Sequence, residues 1–328
     1  MLNKTNDSKY KLISVVVPVL NESGNLPILY ERIIKSLRHF KYELIFINDG
    51  SNDDTIETIK SLAGKDSSVK LINLSRNFGH QLAVSCGLDF AEGDAVVIMD
   101  ADLQDPPELI VKMIKKWKEG YDVVYAVRKE RKGETFLKKV TAKIFYRALN
   151  LFSGTTIPVD TGDFRLVSRR VVLNLRKTRE YRRFLRGIIS WIGFSQIGIE
   201  FERDKRFAGK SHYSIIAMIK LAFDAILSFS IFPLRLASVL GVLTVIFSIF
   251  FAIFAYYKNS VGETIRGWSS TVFLILFLGS IQLIAIGIIG EYLGRIYEEV
   301  KKRPLYIIDS TLGFENFKEI ENRANVGN

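Results

Sequence analysis

Residues 12–51 read LISVVVPVLNESGNLPILYERIIKSLRHFKYELIFINDGS. Two nearly uninterrupted apolar, β-rich runs, 13–19 and 44–48, flank an amphipathic stretch at 26–37. A strand covered on both faces loses its polar alternation, so apolar runs joined through a helix spell a βαβ unit of a parallel sheet. The rhythm continues outward, with strands expected at 69–74, 95–99 and 123–126 and helices at 55–63, 80–91 and 107–118. A strand roughly every 25 residues predicts an α/β domain with a parallel sheet.

In such sheets ligands bind beyond the carboxyl ends of the strands. The first strand ends in Pro18-Val19-Leu20-Asn21-Glu22, the second in Asn48-Asp49-Gly50-Ser51, the fourth in Asp100-Ala101-Asp102-Leu103-Gln104-Asp105. Glu22, Asp49, Asp100 and Asp102 would therefore crowd one rim. A turn accounts for Asp49-Gly50-Ser51 alone, and a helix cap for one carboxylate of the third group, but neither accounts for the set. Carboxylates gathered against their own repulsion need positive charge, usually a metal. Hard oxygen donors such as Asp102 and the Gln104 amide suit Mg²⁺ or Mn²⁺, ions that bridge substrate phosphates. No Gly-x-Gly-x-x-Gly or Walker loop occurs, which removes the dinucleotide and P-loop readings.

The remaining composition fixes the setting. Of 328 residues, 46 are Lys or Arg and 35 Asp or Glu, a net charge of +11, which points to phosphorylated ligands or an anionic surface. A single cysteine, Cys86, excludes an intrachain disulfide framework, and three histidines make a zinc site improbable. Residues 236–257 and 267–290 run 22 and 24 residues without a charge. As helices they would extend about 33 and 36 Å, enough for a hydrocarbon core of about 30 Å. Arg235 precedes the pair and Arg295, Lys301, Lys302 and Arg303 follow it, so the positive-inside rule expects both termini in the cytoplasm and 258–266 outside. The organisation expected is a cytoplasmic domain over 1–230, a two-helix anchor over 231–300 and a cytoplasmic tail over 301–328.

The motifs Ser14-Val-Val-Val-Pro18-Val-Leu-Asn21-Glu22, Asn48-Asp49-Gly50-Ser51 and Met99-Asp100-Ala-Asp102-Leu-Gln104 resemble the opening motifs of the inverting glycosyltransferases of family two. Asp160-Thr-Gly-Asp163-Phe-Arg165-Leu, Arg183-Phe-Leu-Arg-Gly-Ile-Ile-Ser-Trp191-Ile-Gly193-Phe and Arg206-Phe-Ala-Gly209-Lys210-Ser211-His-Tyr213-Ser resemble the polyprenyl-phosphate branch of that family. The resemblance runs from about residue 12 to about 305. It implies a GT-A (Rossmann-like) fold, a nucleotide-sugar donor and a polyprenyl-phosphate acceptor, with glucose from a uridine diphosphate sugar as the first expectation. Pro18, Asn21, Glu22 and Asp49 match the nucleoside-binding positions. Asp100 and Asp102 match the metal and diphosphate motif, with Gln104 as a further ligand. Arg206, Lys210, Ser211 and Tyr213 match a loop that closes over the diphosphate. His212 stands in that loop where Lys or Arg is expected. Asp163 matches the position assigned to the base, with Asp160 the second candidate, and Arg128 and Arg165 are placed to meet the acceptor phosphate or to form structural ion pairs.

Segments 135–152 and 214–230 are amphipathic, and the first carries Lys138, Lys139, Lys143 and Arg147 beside its apolar face, as a helix in an anionic membrane interface would. The tail resembles arms that pair subunits, with a short β-like run at 305–308, so a homo-oligomer is expected and a tetramer is the candidate assembly. Three other functions fit the sequence less well. A processive polysaccharide synthase would carry a Gln-x-x-Arg-Trp motif, which is absent. An inactive translocator or scaffold would need more than two spans to build a polar path. A nucleic-acid binder is disfavoured because the charges follow the apolar boundaries.

Overall fold

The computed structural model describes residues 11–128, 161–201, 232–262 and 267–314. Of these, 11–128, 161–201 and 303–314 belong to one compact unit, and 232–262 and 267–302 to a second. The first unit is built on β1 (Leu12–Val19), α1 (Leu26–Leu37), β2 (Lys41–Asn48), α2 (Thr55–Lys65), β3 (Val69–Leu74), α3 (His80–Phe90), β4 (Ala95–Ile98), α4 (Leu109–Lys118), β5 (Val123–Arg128), β6 (Thr161–Ser168), α5 (Arg169–Lys177), α6 (Leu185–Ile192), β7 (Gln196–Phe201) and β8 (Ile308–Leu312). The second contains α7 (Phe232–Ser260) and α8 (Trp268–Val300).

The strands form one sheet in the order β7-β5-β6-β4-β1-β2-β3-β8. The sequence predicts parallel pairing, and β1 with β2 and β4, β2 with β3, and β5 with β7 are parallel. The sheet is nevertheless mixed, because β6 runs antiparallel to both β4 and β5, and β8 antiparallel to β3. The β-like run expected at 305–308 forms a strand only from Ile308 onward, and that strand, β8, pairs with β3.

Both faces of the sheet are covered, which is why β1 and β2 read as apolar runs. Ile13, Val15, Val17 and Val19 join Leu26, Leu29, Ile33 and Leu37 of α1 and Met113 of α4 in the buried core. The opposite face of the same strands meets α3. A Cβ on Gly87 would lie 2.3 Å from Val16 Cγ1 and 2.7 Å from Ile47 Cδ1, so only glycine lets α3 approach this closely.

Register then places the site. Val19 lies opposite Asn48, and Asn48 opposite Asn73, so β1, β2 and β3 end level with one another. Antiparallel β6 opposes Ile98 with Arg165, which brings its amino end, with Asp163, to the same rim.

In the second unit, α7 and α8 are each long and apolar enough to cross a membrane, and their large hydrophobic side chains are mostly exposed. Serine and threonine hydroxyls along them bond within the helix: Thr244 Oγ1 donates to the Leu240 carbonyl (2.8 Å), Ser248 Oγ to Thr244 (2.8 Å) and Ser280 Oγ to Leu276 (2.7 Å). Internal satisfaction of polar groups is what a hydrocarbon environment demands. The two helices give the chain a membrane-associated part.

Candidate active site

Three loops interlock at the level ends of β1, β2 and β3. Asn21 is left-handed, with φ +56°, a conformation that asparagine tolerates better than most residues. Its amide N–H donates to Ser51 Oγ (2.9 Å), and its side-chain oxygen accepts from Asn52 N–H (2.8 Å). Glu22 N–H donates to Thr55 Oγ1 (3.0 Å), and Glu22 Oε2 accepts from Asn25 Nδ2 (2.6 Å). Gly50 has φ +80°, and a Cβ there would sit 2.7 Å from the Asn77 nitrogen, so the loops after β2 and β3 touch backbone to backbone. Buried Asp49 fastens that contact by accepting from Phe78 N–H (2.7 Å) and Gly79 N–H (2.9 Å). Burial raises its pKa, against the pull of those two amides and of His80 and Arg76. Pro18 lies inside the sheet opposite Ile47, one layer behind this rim.

The acidic half of the site is assembled from β4, α3, β6 and α6. His80 Nε2, at the start of α3, lies 3.5 Å from Asp100 Oδ1 and 3.3 Å from Asp163 Oδ2. Arg186 of α6 grips Asp163 with both arms, Nε to Oδ1 at 2.7 Å and Nη2 to Oδ2 at 3.1 Å. Gln81 Nε2 adds a contact to Asp163 Oδ2 at 3.3 Å. Burial alone would raise the Asp163 pKa, but Arg186 and His80 outweigh it and hold the carboxyl well below its ordinary value. Asp100 moves the other way: burial raises its pKa, the charges of Asp163 and Asp102 add to that, and His80 and Arg186 only partly oppose them. Asp100 Oδ1 is buried and accepts no hydrogen bond.

Next along the chain, Leu103 is left-handed at φ +59° and buried, an unfavourable conformation for its side chain. The turn is closed by Gln104 N–H donating to Asp102 Oδ1 (3.1 Å), and the Gln104 residue is buried beneath it. Strain of this kind concentrates at ligand-binding sites. Among the described residues, no three His, Cys, Asp or Glu side chains are gathered as a self-sufficient metal site. The donor set expected at Asp100, Asp102 and Gln104 thus offers two carboxylates and one amide, and a cation there needs oxygens from a ligand.

Residues 14–176 match the family described as glycosyl transferase family 2. Over 312 residues the chain is 48% identical to an uncharacterized glycosyltransferase, YkcC, of Bacillus subtilis, covering 94% of this chain and 97% of that one. The chain belongs to glycosyl transferase family 2. It is also 43% identical over 299 residues to the SfII prophage-derived bactoprenol glucosyl transferase of Shigella flexneri, covering 90% of this chain and 97% of the relative. A crystal structure of a mycobacterial protein overlays on 67% of this chain and 75% of its own with a TM-score of 0.50 at 19% identity, a likeness of fold alone.

In this family 2 glycosyltransferase, the sequence motifs Asn21-Glu22, Asp49, Asp100-Asp102 and Asp163 converge on one rim, as the strand-end rule expects. Arg165 turns inward instead: only 5% exposed, it donates to the Gly162 carbonyl (2.9 Å), and burial pushes its pKa down to about 10. Through that bond it braces the start of β6. Arg128 closes β5 opposite Phe201. Asp160, Arg206, Lys210, Ser211 and Tyr213, with the segments 135–152 and 214–230, lie outside the described residues. Motif reading passed over His80, Gln81 and Arg186. The first two sit just past β3, so the same strand-end rule would have reached them. Arg186 lay inside a quoted motif but received no role.

Proposed function

We propose that this glycosyltransferase moves one glucose from UDP-glucose to a polyprenyl phosphate of the undecaprenyl type, inverting the anomeric carbon. The observation that carries the chemistry is Asp100 Oδ1, which is buried and accepts no hydrogen bond, with the His80 ring nitrogen 3.5 Å away. A buried carboxylate oxygen that accepts no hydrogen bond, beside Asp102 and Asp163 and only partly offset by His80, is an unfavourable arrangement that a divalent cation relieves. Asp100 and Asp102 would hold Mg²⁺ or Mn²⁺, with Gln104 adjoining. When bound, the ion neutralises charge developing on the leaving diphosphate. The acceptor class is supported by the bactoprenol glucosyl transferase relatives and by the two membrane-type helices.

The chain's own residues supply position. The interlocked loops at Asn21, Glu22 and Asp49 present the nucleoside site, and Arg206, Lys210, Ser211 and Tyr213 are assigned to the diphosphate on their sequence motif alone. Arg128 meets the acceptor phosphate. Asp163 orients the reacting groups through His80 and Arg186 rather than removing a proton, because a phosphate monoester with a second pKa of about 6 reaches the site already ionised. Incubation with several nucleotide sugars and undecaprenyl phosphate in bilayers tests the reading. UDP-glucose is expected to give the fastest formation of glycolipid, and the absence of lipid product with every donor would reject it.

We place the first unit and both chain ends in the cytoplasm, on the strength of the basic residues that flank α7 and α8. The lone native thiol, Cys86, is buried, so introduced cysteines can be read against a low background. Val261→Cys is expected to react with an impermeant maleimide on intact cells, and Ile307→Cys only after permeabilisation. The reverse pattern would separate the site from cytoplasmic nucleotide sugars.

A further inference from the structure

Immediately after α8 the chain returns to the first unit, and its contacts there fall on the loops that build the nucleoside site. Ser75 N–H donates to the Ile307 carbonyl (3.0 Å), tying the tail to the loop after β3. Two residues on, Asp309 Oδ2 accepts from Asn73 Nδ2 (3.0 Å), with Ser310 Oγ a longer acceptor at 3.4 Å. The other end of the same amide, Asn73 Oδ1, accepts from Asn48 Nδ2 (2.7 Å). Asn48 Oδ1 in turn accepts from Ser51 N–H (3.2 Å), and Ser51 Oγ accepts from Asn21 N–H (2.9 Å). A line of hydrogen bonds therefore runs from the tail through the Asn73 and Asn48 amides, each used at both ends, to the Ser51 backbone, and the Ser51 hydroxyl takes it on to the Asn21 N–H.

We infer that Asp309 is a positioning residue for the nucleotide site, acting through Asn73 and Asn48 to hold the 48–52 turn in its binding shape. The inference rests on the donor reading above and extends it to a segment that lies far away in sequence, beyond both apolar helices. The physical reason is the amide of Asn73. With Asp309 and Ser310 accepting from its nitrogen, its oxygen is turned towards Asn48, which is almost fully buried. Without those acceptors the Asn73 amide is free to flip, and it would then present a donor to the Asn48 donor. Asn48 Nδ2 would lose its partner inside the protein, and unpaired buried donors are costly. The turn is sensitive to such a change because Gly50 is already pressed against Asn77. The tail also meets α3, at its carboxyl end, where Tyr306 Oη donates to Asp89 Oδ2 (2.7 Å). The strand that follows α8 in the sequence thus contributes to nucleotide binding.

The test uses the full-length protein in bilayers, with the double variant Asp309→Ala/Ser310→Ala and with Asp309→Asn, which keeps an oxygen acceptor. Both residues are exposed, so the variants are expected to fold. In the unliganded protein, amide hydrogen exchange at Ser51 and Asn52 should quicken in the double variant and return towards wild type in Asp309→Asn. The Kd for UDP and the KM for the donor should rise by about three- to tenfold, the loss expected for one hydrogen bond, with kcat and acceptor KM unchanged. Unaltered exchange at Ser51 and Asn52 overturns the inference, as does faster exchange with UDP affinity unchanged. Faster exchange in a protein that binds no nucleoside diphosphate in any form would leave the coupling standing and reject the donor reading instead.

Discussion

Asp100→Asn is expected to lower kcat by about 10²- to 10³-fold, the loss typical when one preorganised electrostatic partner of a transition state is removed. The variant keeps the size of the side chain and the β4 register, so the fold should survive. What changes is the charge that draws a cation to the buried Oδ1. Asp102→Ala should give a loss of similar size, and chelation of divalent ions should reduce wild-type turnover to the level of the variants. Calorimetric titration with Mn²⁺ and UDP together separates binding from chemistry: wild type should show metal-dependent UDP affinity and Asp100→Asn should not. Full turnover in excess chelator would remove the metal from the account.

Asp163→Asn is the second large effect, expected at about 10²-fold in kcat, and its pH dependence matters more than its size. Both oxygens of Asp163 are occupied, by Arg186 and by His80 and Gln81, and these partners hold its pKa well below the ordinary range. A depressed pKa means the group stays ionised throughout the working range and protonates only when pH falls far into the acid. So firmly held a carboxylate is a weak proton acceptor. The deficit of Asp163→Asn should therefore stay constant between about pH 6 and 8, while the wild-type rate follows ionisation of the acceptor phosphate near pH 6. A deficit that shrinks steadily as pH rises would make Asp163 the proton acceptor. Arg186→Met should also lower stability, because it removes two of the contacts on the partly buried Asp163, a loss of about 1.5–3 kcal/mol for hydrogen bonds to a charged group.

Much of the fold was legible because the sheet is covered on both faces. β3 and α1 fall on the bounds expected from the apolar runs, and the other strands of the first half differ at their ends by a few residues. The mixed character of the sheet was not legible. The segment Thr161–Ser168 was read for its Asp163 motif and not as a strand, and nothing in eight residues states the direction in which they will pair. β8 was misplaced for a different reason. It is a five-residue edge strand whose Asp309, Ser310 and Thr311 give little apolar signal, and its partner β3 lies more than 230 positions away. The site divides in the same way. Carboxylates in strand-end motifs announced themselves, whereas His80 and Arg186 matter through ion pairs spanning 83 and 23 positions, which no local pattern encodes. Arg165 shows the converse: its motif is local and plain, yet its side chain faces the interior.

The most direct test of the account is the structure of the lipid product formed from UDP-glucose and undecaprenyl phosphate. Attack by the lipid phosphate oxygen in a single displacement, with no glycosyl intermediate on the protein, converts the α-linked donor into a β-linked glucosyl phospholipid. Proton NMR of the purified product should show the large H1–H2 coupling of a β-glucoside. An α-linked product would require two successive displacements through a covalent intermediate, or attack from the face the diphosphate leaves, and it would contradict the placement of donor and acceptor on this rim.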